Sequence, residues 1–406
     1  MTRLRPALAG WLALLAGCAA SGSVPGYSRD VAADGRVLVT YAAGLPDGQD
    51  TLATLFGIGR YENDSSPIFE DLRDLEVDGE GQIYALDYKA AHIRVFAPDG
   101  TPLRTLGRSG EGPGELTNAN GLRLTPDGTL WVNDHGKRSL LALDLDGTER
   151  RRVPSIVPGF GYRWGVMIDT AGGLWARGSR KLTGPAPDMS ATGLAEGRSL
   201  RMLRYYDPAT EARDSVSLDE GSWRSYRASY GGGQMVMGLP FAGRAAMVMD
   251  QRQRVWVTHA DSFVVVRLNL DADTTMVLRV NDPGVPLTDA DIAEWRERMS
   301  SQAERLPTLI DDLMAFMPKT RPALTSTFTD DRDRLWLGRS VASDSAPRWD
   351  VFTPEGEFLT TVRGPKGISA FLTPVVRGDR IYLFADGEAG ERYIVVAELP
   401  ARLRDR

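Results

Sequence analysis

The stretch QIYALDYKAAHIRVFAPDGTPLRTLGRSGEGPGEL, Gln82–Leu116, decides how the rest of the chain is read. It opens on an alternating apolar run, turns, and gives a second such run closing on Pro98, Asp99 and Gly100. Alternation at period two makes strands with one buried face, and an Asp-Gly turn joins two of them as a hairpin. Gly107, Gly110, Gly112 and Gly114 then crowd around Pro113. Glycine-rich loops that cradle phosphates follow a parallel strand and open a helix, with a Lys-Ser/Thr pair or a later acidic partner. Here the glycines follow an outer strand and precede a new one. They therefore read as a reversal between two sheets, which needs positive φ values. Leu116 is expected to drop between those sheets as an apolar anchor.

The same plan recurs. Its copies are LEVDGEGQIYALD (Leu75–Asp87), LRLTPDGTLWVND (Leu122–Asp134) and VMIDTAGGLWARG (Val166–Gly178). They continue as MVMDQRQRVWVTH (Met247–His259), TFTDDRDRLWLGR (Thr327–Arg339) and PVVRGDRIYLFA (Pro374–Ala385). Each turns on an aromatic pivot: Tyr84, Trp131, Trp175, Trp256, Trp336 and Tyr382. A third strand follows every pivot, as in IRVFAPDG (Ile93–Gly100) and WDVFTPEG (Trp349–Gly356), and then a fourth. Four antiparallel strands at this spacing make a propeller blade, whose faces only neighbouring blades can bury. The expected fold is all-β, a six-bladed β-propeller of four-stranded antiparallel blades. The last copy stops at YIVVAELP (Tyr393–Pro400) without a fourth strand. TLATLFGIG (Thr51–Gly59) looks like PLRTLGRSG and is expected to supply it, joining the two chain ends. RVLVTYA (Arg36–Ala42) is expected to add to that sheet or lie across it.

Gln82–Leu116 resembles the NHL-type six-bladed propellers, and more closely the exported six-bladed propeller proteins of environmental bacteria. The carrying features are the Ile-Tyr-x-x-Asp strand, the Arg94 strand, the Asp99-Gly100 turn and the Gly-x-Gly-Pro-Gly crossing. Leu116 stands where the pattern has Phe, and His92 where it has Asn. The resemblance covers residues from about 50 to 400 and implies a fold far more than a function.

The N-terminus carries an address. MTRLR is a basic start, PALAGWLALLAG an apolar run too short to span a bilayer permanently, and Leu15-Ala16-Gly17-Cys18 looks like a lipoprotein lipobox. Cys18 is the single cysteine of the 406 residues, which excludes an internal disulfide. The expected division is a signal peptide over 1–17, a lipidated Cys18 with tether over 18–30, a propeller over 31–400 and a tail over 401–406. Ala19, in place of an Asp, points to an outer membrane with the protein facing the periplasm. The membrane is then a partner through the lipid on Cys18. Formal charge is −6 and no basic run with interleaved aromatics occurs, which argues against nucleic acid.

Two insertions break the rhythm. Within Pro286–Leu324, Thr288 is a candidate N-cap with Asp291 three residues on, and Ile292, Trp295 and Met299 follow at helical spacing. A helical hairpin packed over one edge of the ring is expected, or else a cap over the channel mouth. Ser179–Ser199 and Ser229–Gly238 read as surface loops.

Aligned copies nominate two rings of side chains at the channel. Arg73, Asn120, Trp164, Ala245, Thr325 and Leu372 precede the innermost strands. Asp87, Asp134, Gly178, His259, Arg339 and Ala385 end the second strands. Arg73, Asn120, Asp87, Asp134, His259 and Arg339 are the candidate ligand-binding residues. Acidic residues at strand ends also serve to satisfy turn amides, and both readings stay open for Asp87 and Asp134. The chain has three histidines, none at metal-ligand spacing, so no zinc site is expected. No cofactor is expected beyond a calcium ion that Asp87, Asp134 and carbonyls could hold. Asp330–Arg334, DDRDR, reads as a charged hairpin turn. No catalytic motif is evident. The leading reading is a lipid-anchored cell-envelope module that binds or scaffolds a protein, glycan or small ligand. The alternative is a metal-assisted hydrolase, lactonase or lyase working at the central channel.

Overall fold

The computed structural model describes residues 24–46, 48–60, 69–156, 166–182, 192–230, 233–243, 246–259, 262–304, 306–342, 345–369, 372–388 and 390–404. Six sheets stand around a ring. Blade one is Leu72–Val77, Ile83–Asp87, His92–Phe96 and Pro102–Leu106, from the axis outward. Blade two is Ala119–Leu124, Leu130–Asp134, Ser139–Leu143 and Glu149–Pro154. Blade three is Val166–Ile168, Leu174–Lys181, Gly193–Tyr206 and Arg213–Tyr230, with a fifth strand, Gly233–Met237. Blade four is Ala246–Met249, Val255–His259, Val264–Leu268 and Thr274–Val280, extended by Val37–Tyr41 and Tyr27–Val31. Blade five is Leu324–Thr329, Leu335–Arg339, Arg348–Phe352 and Phe358–Arg363, edged by Gln49–Thr51. Blade six takes Val375–Arg377, Arg380–Asp386 and Arg392–Glu398 from the end of the chain and Ala53–Ile58 from its beginning. Ile58 lies opposite Ile394 in an antiparallel pairing, so the N-terminal strand closes the ring as the repeat count required. The helices among the described residues are α1 (Asp289–Ala303), α2 (Leu309–Met314) and α3 (Ala401–Arg404).

One side-chain arrangement repeats beneath the inner hairpins. In blade four, one oxygen of Asp250 accepts the Arg252 and Arg254 amides at 3.0 and 2.9 Å, and the other accepts the Trp256 indole N–H at 2.9 Å. Asp330 does the same for the Arg332 and Arg334 amides and for Trp336, at 3.0, 2.9 and 2.8 Å. Asp169 holds the Ala171 and Gly173 amides and Trp175, and Asp78 holds the Glu80 and Gln82 amides and the Tyr84 hydroxyl. Each carboxylate thus fixes its turn and orients its pivot. The pivots then fill the gaps between blades: Trp256 and Trp336 are fully buried, each within an apolar cluster.

Several segments take other places than the sequence suggests. Arg36–Ala42 neither joins the closing sheet nor crosses it, because Val37–Tyr41 pairs in parallel with the outer strand of blade four. Burial decides this: Val39 and Tyr41 pack with Trp256, Leu278 and Phe352, while the Tyr41 hydroxyl donates to the Gly356 carbonyl and accepts the Phe358 amide. The first described strand, Tyr27–Val31, starts inside the stretch expected to be tether. In the expected tail, α3 buries Leu403 against blades five and six. Arg332 donates to the Leu403 and Arg404 carbonyls at 2.6 and 2.9 Å, and Arg334 also reaches Leu403. The DDRDR turn therefore grips the C-terminus. It also meets both neighbours, since Asp333 accepts the Gln251 amide and Asp331 the Gly378 amide.

Ser179–Ser199 is strand where it is described: Lys181 pairs with Ser199 in a hairpin that prolongs blade three beyond the ring. Ser229–Gly238 likewise forms a hairpin, with Ser229 opposite Gln234. Cross-strand pairing of alternating side chains outweighs the Gly and Ser content that suggests loops.

Asp330→Ala should lower stability by about 3–5 kcal/mol, because it leaves the buried Arg334 guanidinium and the Trp336 N–H without their acceptor. Urea unfolding checks this, with the exposed Asp271→Ala expected to leave the curve unchanged.

Candidate functional site

Strand direction sorts the molecule into two ends. Asp87 lies opposite Leu72, Asp134 opposite Ala119 and Arg339 opposite Leu324, so second strands end where inner strands begin. The crossings from one blade to the next lie at this same mouth, called here the junction mouth. The opposite mouth carries the short turns inside the blades, together with the turn between Tyr27–Val31 and Val37–Tyr41 and the four-residue α3. The Leu103–Leu116 stretch is one of the crossings. Leu116 is fully buried among Leu106, Leu122 and Leu141, joining blades one and two as expected. Gly110 has φ +155°, and a Cβ there would meet the Glu115 carboxylate at 2.1 Å. That carboxylate accepts the Gly112 amide at 2.8 Å, so the glycines serve the fold of the loop.

The second-strand carboxylates are turned the same way. Both oxygens of Asp87 accept backbone amides, from Glu70 and Asp71 at 3.0 Å each. Asp134 accepts the Thr117 and Asn118 amides at 2.8 and 3.0 Å. Each pins the crossing that enters its own blade, and both are fully buried. A calcium ion does not fit this pair: the oxygens already take N–H donors and serve different blades. Arg339 is buried between Asp350 at 2.8 Å and Asp282 at 2.7 Å, and its guanidinium lies over the Phe263 ring. Arg73 forms a two-pronged pair with Asp71 at 2.8 and 2.7 Å and stacks on Tyr88. Asn120 is buried on the inner strand of blade two, and His259 ends the second strand of blade four half-buried. Topology thus brings all six candidates to one mouth, with Asp87, Asp134 and Arg339 engaged inside the walls. Trp164 and Ala245 lie outside the described residues. Among the described residues no three His, Cys, Asp or Glu side chains stand close enough to share a metal ion.

The inner strands hold a charged group that the two rings miss. Opposite the six pivots stand Glu76, Arg123, Met167, Val248, Phe328 and Val375. Glu76 is 9% exposed and lies 3.6 Å from Arg123 of the next blade. Burial lifts its carboxyl to about 7, against the pull of Arg123, the Leu124 amide and Arg377 of blade six, and with the help of Asp74. Asp74 itself reaches across to accept the Leu122 amide at 2.9 Å. The available signal was the repeat alignment, which sets an acid where four of the other five copies carry an apolar residue.

Above the junction mouth the two insertions meet. Thr288 caps α1 through a capping box with Asp291, as its spacing predicts. The neck is pinned where Leu287 donates to Lys319 and Arg321 to Val285, and the Arg321 guanidinium pairs with Asp291. The helices do not lie on the ring edge. Trp295, Leu309 and Leu313 bury against Tyr226 and Ala228 of the prolonged blade-three hairpin, and the Tyr226 hydroxyl donates to Asp312. The cause is apolar area: the hairpin offers an aromatic face beside the insertion, so the two cover each other.

No protein-family model matches the chain, and no curated protein matches it in sequence. Solved structures match in shape. A member of the DUF4221 family from Bacteroides vulgatus aligns with a TM-score of 0.50 at 9% identity, over 86% of this chain and 97% of that one. Virginiamycin B lyase from Staphylococcus aureus gives 0.39 at 11%, over 84% and 87%. A gluconolactonase from Xanthomonas campestris gives 0.40 at 12%, over 81% and 88%. At these identities the first likeness shows the fold, a six-bladed β-propeller, and nothing of the chemistry.

Glu76 makes stability depend on pH in a stated direction. Its folded value, about 7, is above the ordinary 4.5, so its contribution is complete below about 4.5 and is lost as pH rises through 7. Glu76→Gln should flatten the fall in melting temperature across that window, and its curve should lie above the parent's at pH 8. Asp134→Asn should destabilise at every pH near neutrality, because the Thr117 and Asn118 amides lose a charged acceptor.

Proposed function

We propose that the chain is an exported lipoprotein, anchored through Cys18, whose propeller binds a protein, glycan or small ligand at its junction mouth. The observation that carries this reading is the asymmetry of the two ends. Both insertions, the blade crossings and the six polar candidates gather at one mouth, and the other keeps tight turns and the four-residue α3. Long segments cost ordering entropy. A fold that needs only short turns to close gains nothing in closure from an appendage with its own apolar cluster, capped helix and pinned neck. Loops and insertions grouped on one end of a rigid scaffold are where recognition is built. The lipobox sequence supports export and anchoring, and no described helix is long and apolar enough to cross a membrane.

A second reading draws on Glu76. A carboxyl lifted to about 7, beside an arginine on the inner strands, has the properties of a general acid or base. A hydrolase of this kind would show turnover whose pH profile breaks near 7 and disappears in Glu76→Gln. A screen of lactones and esters separates the two readings.

Site-specific photo-crosslinking tests the binding mouth. Crosslinkers at Arg108 and Thr192, exposed at the junction mouth, should capture a partner in cells. Crosslinkers at Asp99 and Pro126, exposed on the opposite end, should capture none. Equal capture from both ends would remove the assignment.

A further inference from the structure

The helical appendage has a side that the blade-three hairpin does not cover. Trp295 and Met299 of α1 turn to the hairpin together with Leu309 and Leu313 of α2. Asp289, Ile292, Ala293 and Arg296 share the adjoining side of α1, since residues three, four and seven apart lie on one helix face. With Met314 of α2 they line a cleft of about 530 Å³. Ligand pockets commonly measure about 300–1,000 Å³. The floor, formed by Ile292, Ala293 and Met314, is apolar, and the two ends carry opposite charges.

Those charges are unanswered. Arg298 pairs with Glu294 at 3.0 Å and Arg321 with Asp291, whereas no described residue pairs with Asp289 or Arg296. Nor do the two neutralise each other, because seven residues of helix set them about 10.5 Å apart along the axis, and side-chain pairs on a helix meet across a single turn. The nearby acids Glu297 and Asp311 stay outside the lining. Asp289 and Arg296 are both exposed, open to charges from outside.

Charge and length together select the occupant. It needs a cation for Asp289, an anion for Arg296 and an apolar body between them. Three residues of extended chain span about 10–11 Å, and a peptide of that length with free ends carries an ammonium at one end and a carboxylate at the other. A guanidinium takes a carboxylate through two parallel bonds. The dipole at the start of α1 is worth only about half a positive charge, so the Asp289 carboxylate keeps that end attractive to an ammonium.

We propose that the cleft between α1 and α2 binds a free tripeptide with apolar side chains, its ammonium on Asp289 and its carboxylate on Arg296. This goes beyond the binding-mouth reading: the lining includes none of the ring candidates, so either assignment can fail without the other.

Titration of the full chain with Val-Ala-Leu, followed by saturation-transfer NMR, tests the cleft. Acetylating the peptide's N-terminus should weaken binding about threefold, and amidating its C-terminus should do the same, which is the worth of one exposed ion pair. Asp289→Asn should erase the effect of acetylation and keep that of amidation, and Arg296→Gln should do the reverse. Ala293→Trp fills the cleft and should abolish binding, while Arg298→Gln, outside the lining, should leave it unchanged. All four positions are exposed, so the variants should melt with the parent. Equal binding of the free and doubly capped peptides would overturn the proposal. So would an absence of binding at millimolar peptide, or undiminished binding by Ala293→Trp. A parent dimer that Ala293→Trp converts to monomer would assign the cleft to a second copy of the chain instead.

Discussion

An aspartate under a hairpin turn, buried in three of the four blades that carry it, is the interaction on which the rest of this propeller depends. The geometry is the same at Asp78, Asp169, Asp250 and Asp330: one oxygen for two turn amides, the other for the pivot six residues on. Charge-assisted bonds of this kind are roughly twice as strong as neutral ones, and burial raises the penalty for leaving any partner unmade. The pivot cannot rotate without orphaning its N–H or hydroxyl. Its ring is therefore held at the angle that fills the gap to the next blade. Blades two and six lack this aspartate and solve the turn locally. Asp127 takes the Thr129 amide and hydroxyl, and Arg377 closes directly on Arg380.

With the inner hairpins fixed in this way, the short-turn end is determined and the other end is free to vary. Closure reinforces the division. Ala53–Ile58 completes blade six, Gln49–Thr51 edges blade five, and Tyr27–Tyr41 extends blade four, so the first described segments bind three successive blades. The C-terminal helix is held by arginines of the DDRDR turn at the short-turn end. The described segments nearest both termini thus pack on the blades of the ring.

The sequence made the ring legible because its signal is periodic and local: a hairpin, a turn acid and an aromatic every blade. The closing strand was legible too, since Thr51–Gly59 copies the outer strand of blade one. Val37–Tyr41 was not, because a parallel partner more than two hundred residues away leaves no local pattern. The prolonged hairpin of blade three hid behind Gly and Ser residues whose loop preference yields to cross-strand pairing. At the site, both readings of Asp87 and Asp134 were visible, and only the direction of their oxygens could separate them. Glu76 escaped because Arg73 and Asp74 already make its strand look polar, and only the register sets Glu76 beside Arg123.

Charge placement follows from the same register. An ion inside a ring of sheets is costly unless a neighbour compensates it, and Glu76 shows partial compensation: Arg123 is 3.6 Å away, yet burial still prevails. The other positions opposite the pivots in blades three to six are apolar, so no second acid shares the burden. Blades one and two thus form the polar sector of the inner wall, and blades three and four carry the appendage above the mouth. At the junction mouth blades one and two place Arg73 and Asn120 on one side and the appendage its apolar, aromatic cluster on the other, while Glu76 and Arg123 lie toward the opposite end of the same strands. On the proposed reading, that polarity across a single opening would orient a ligand, and neither side acquires it without the aspartates that fix the blades between them.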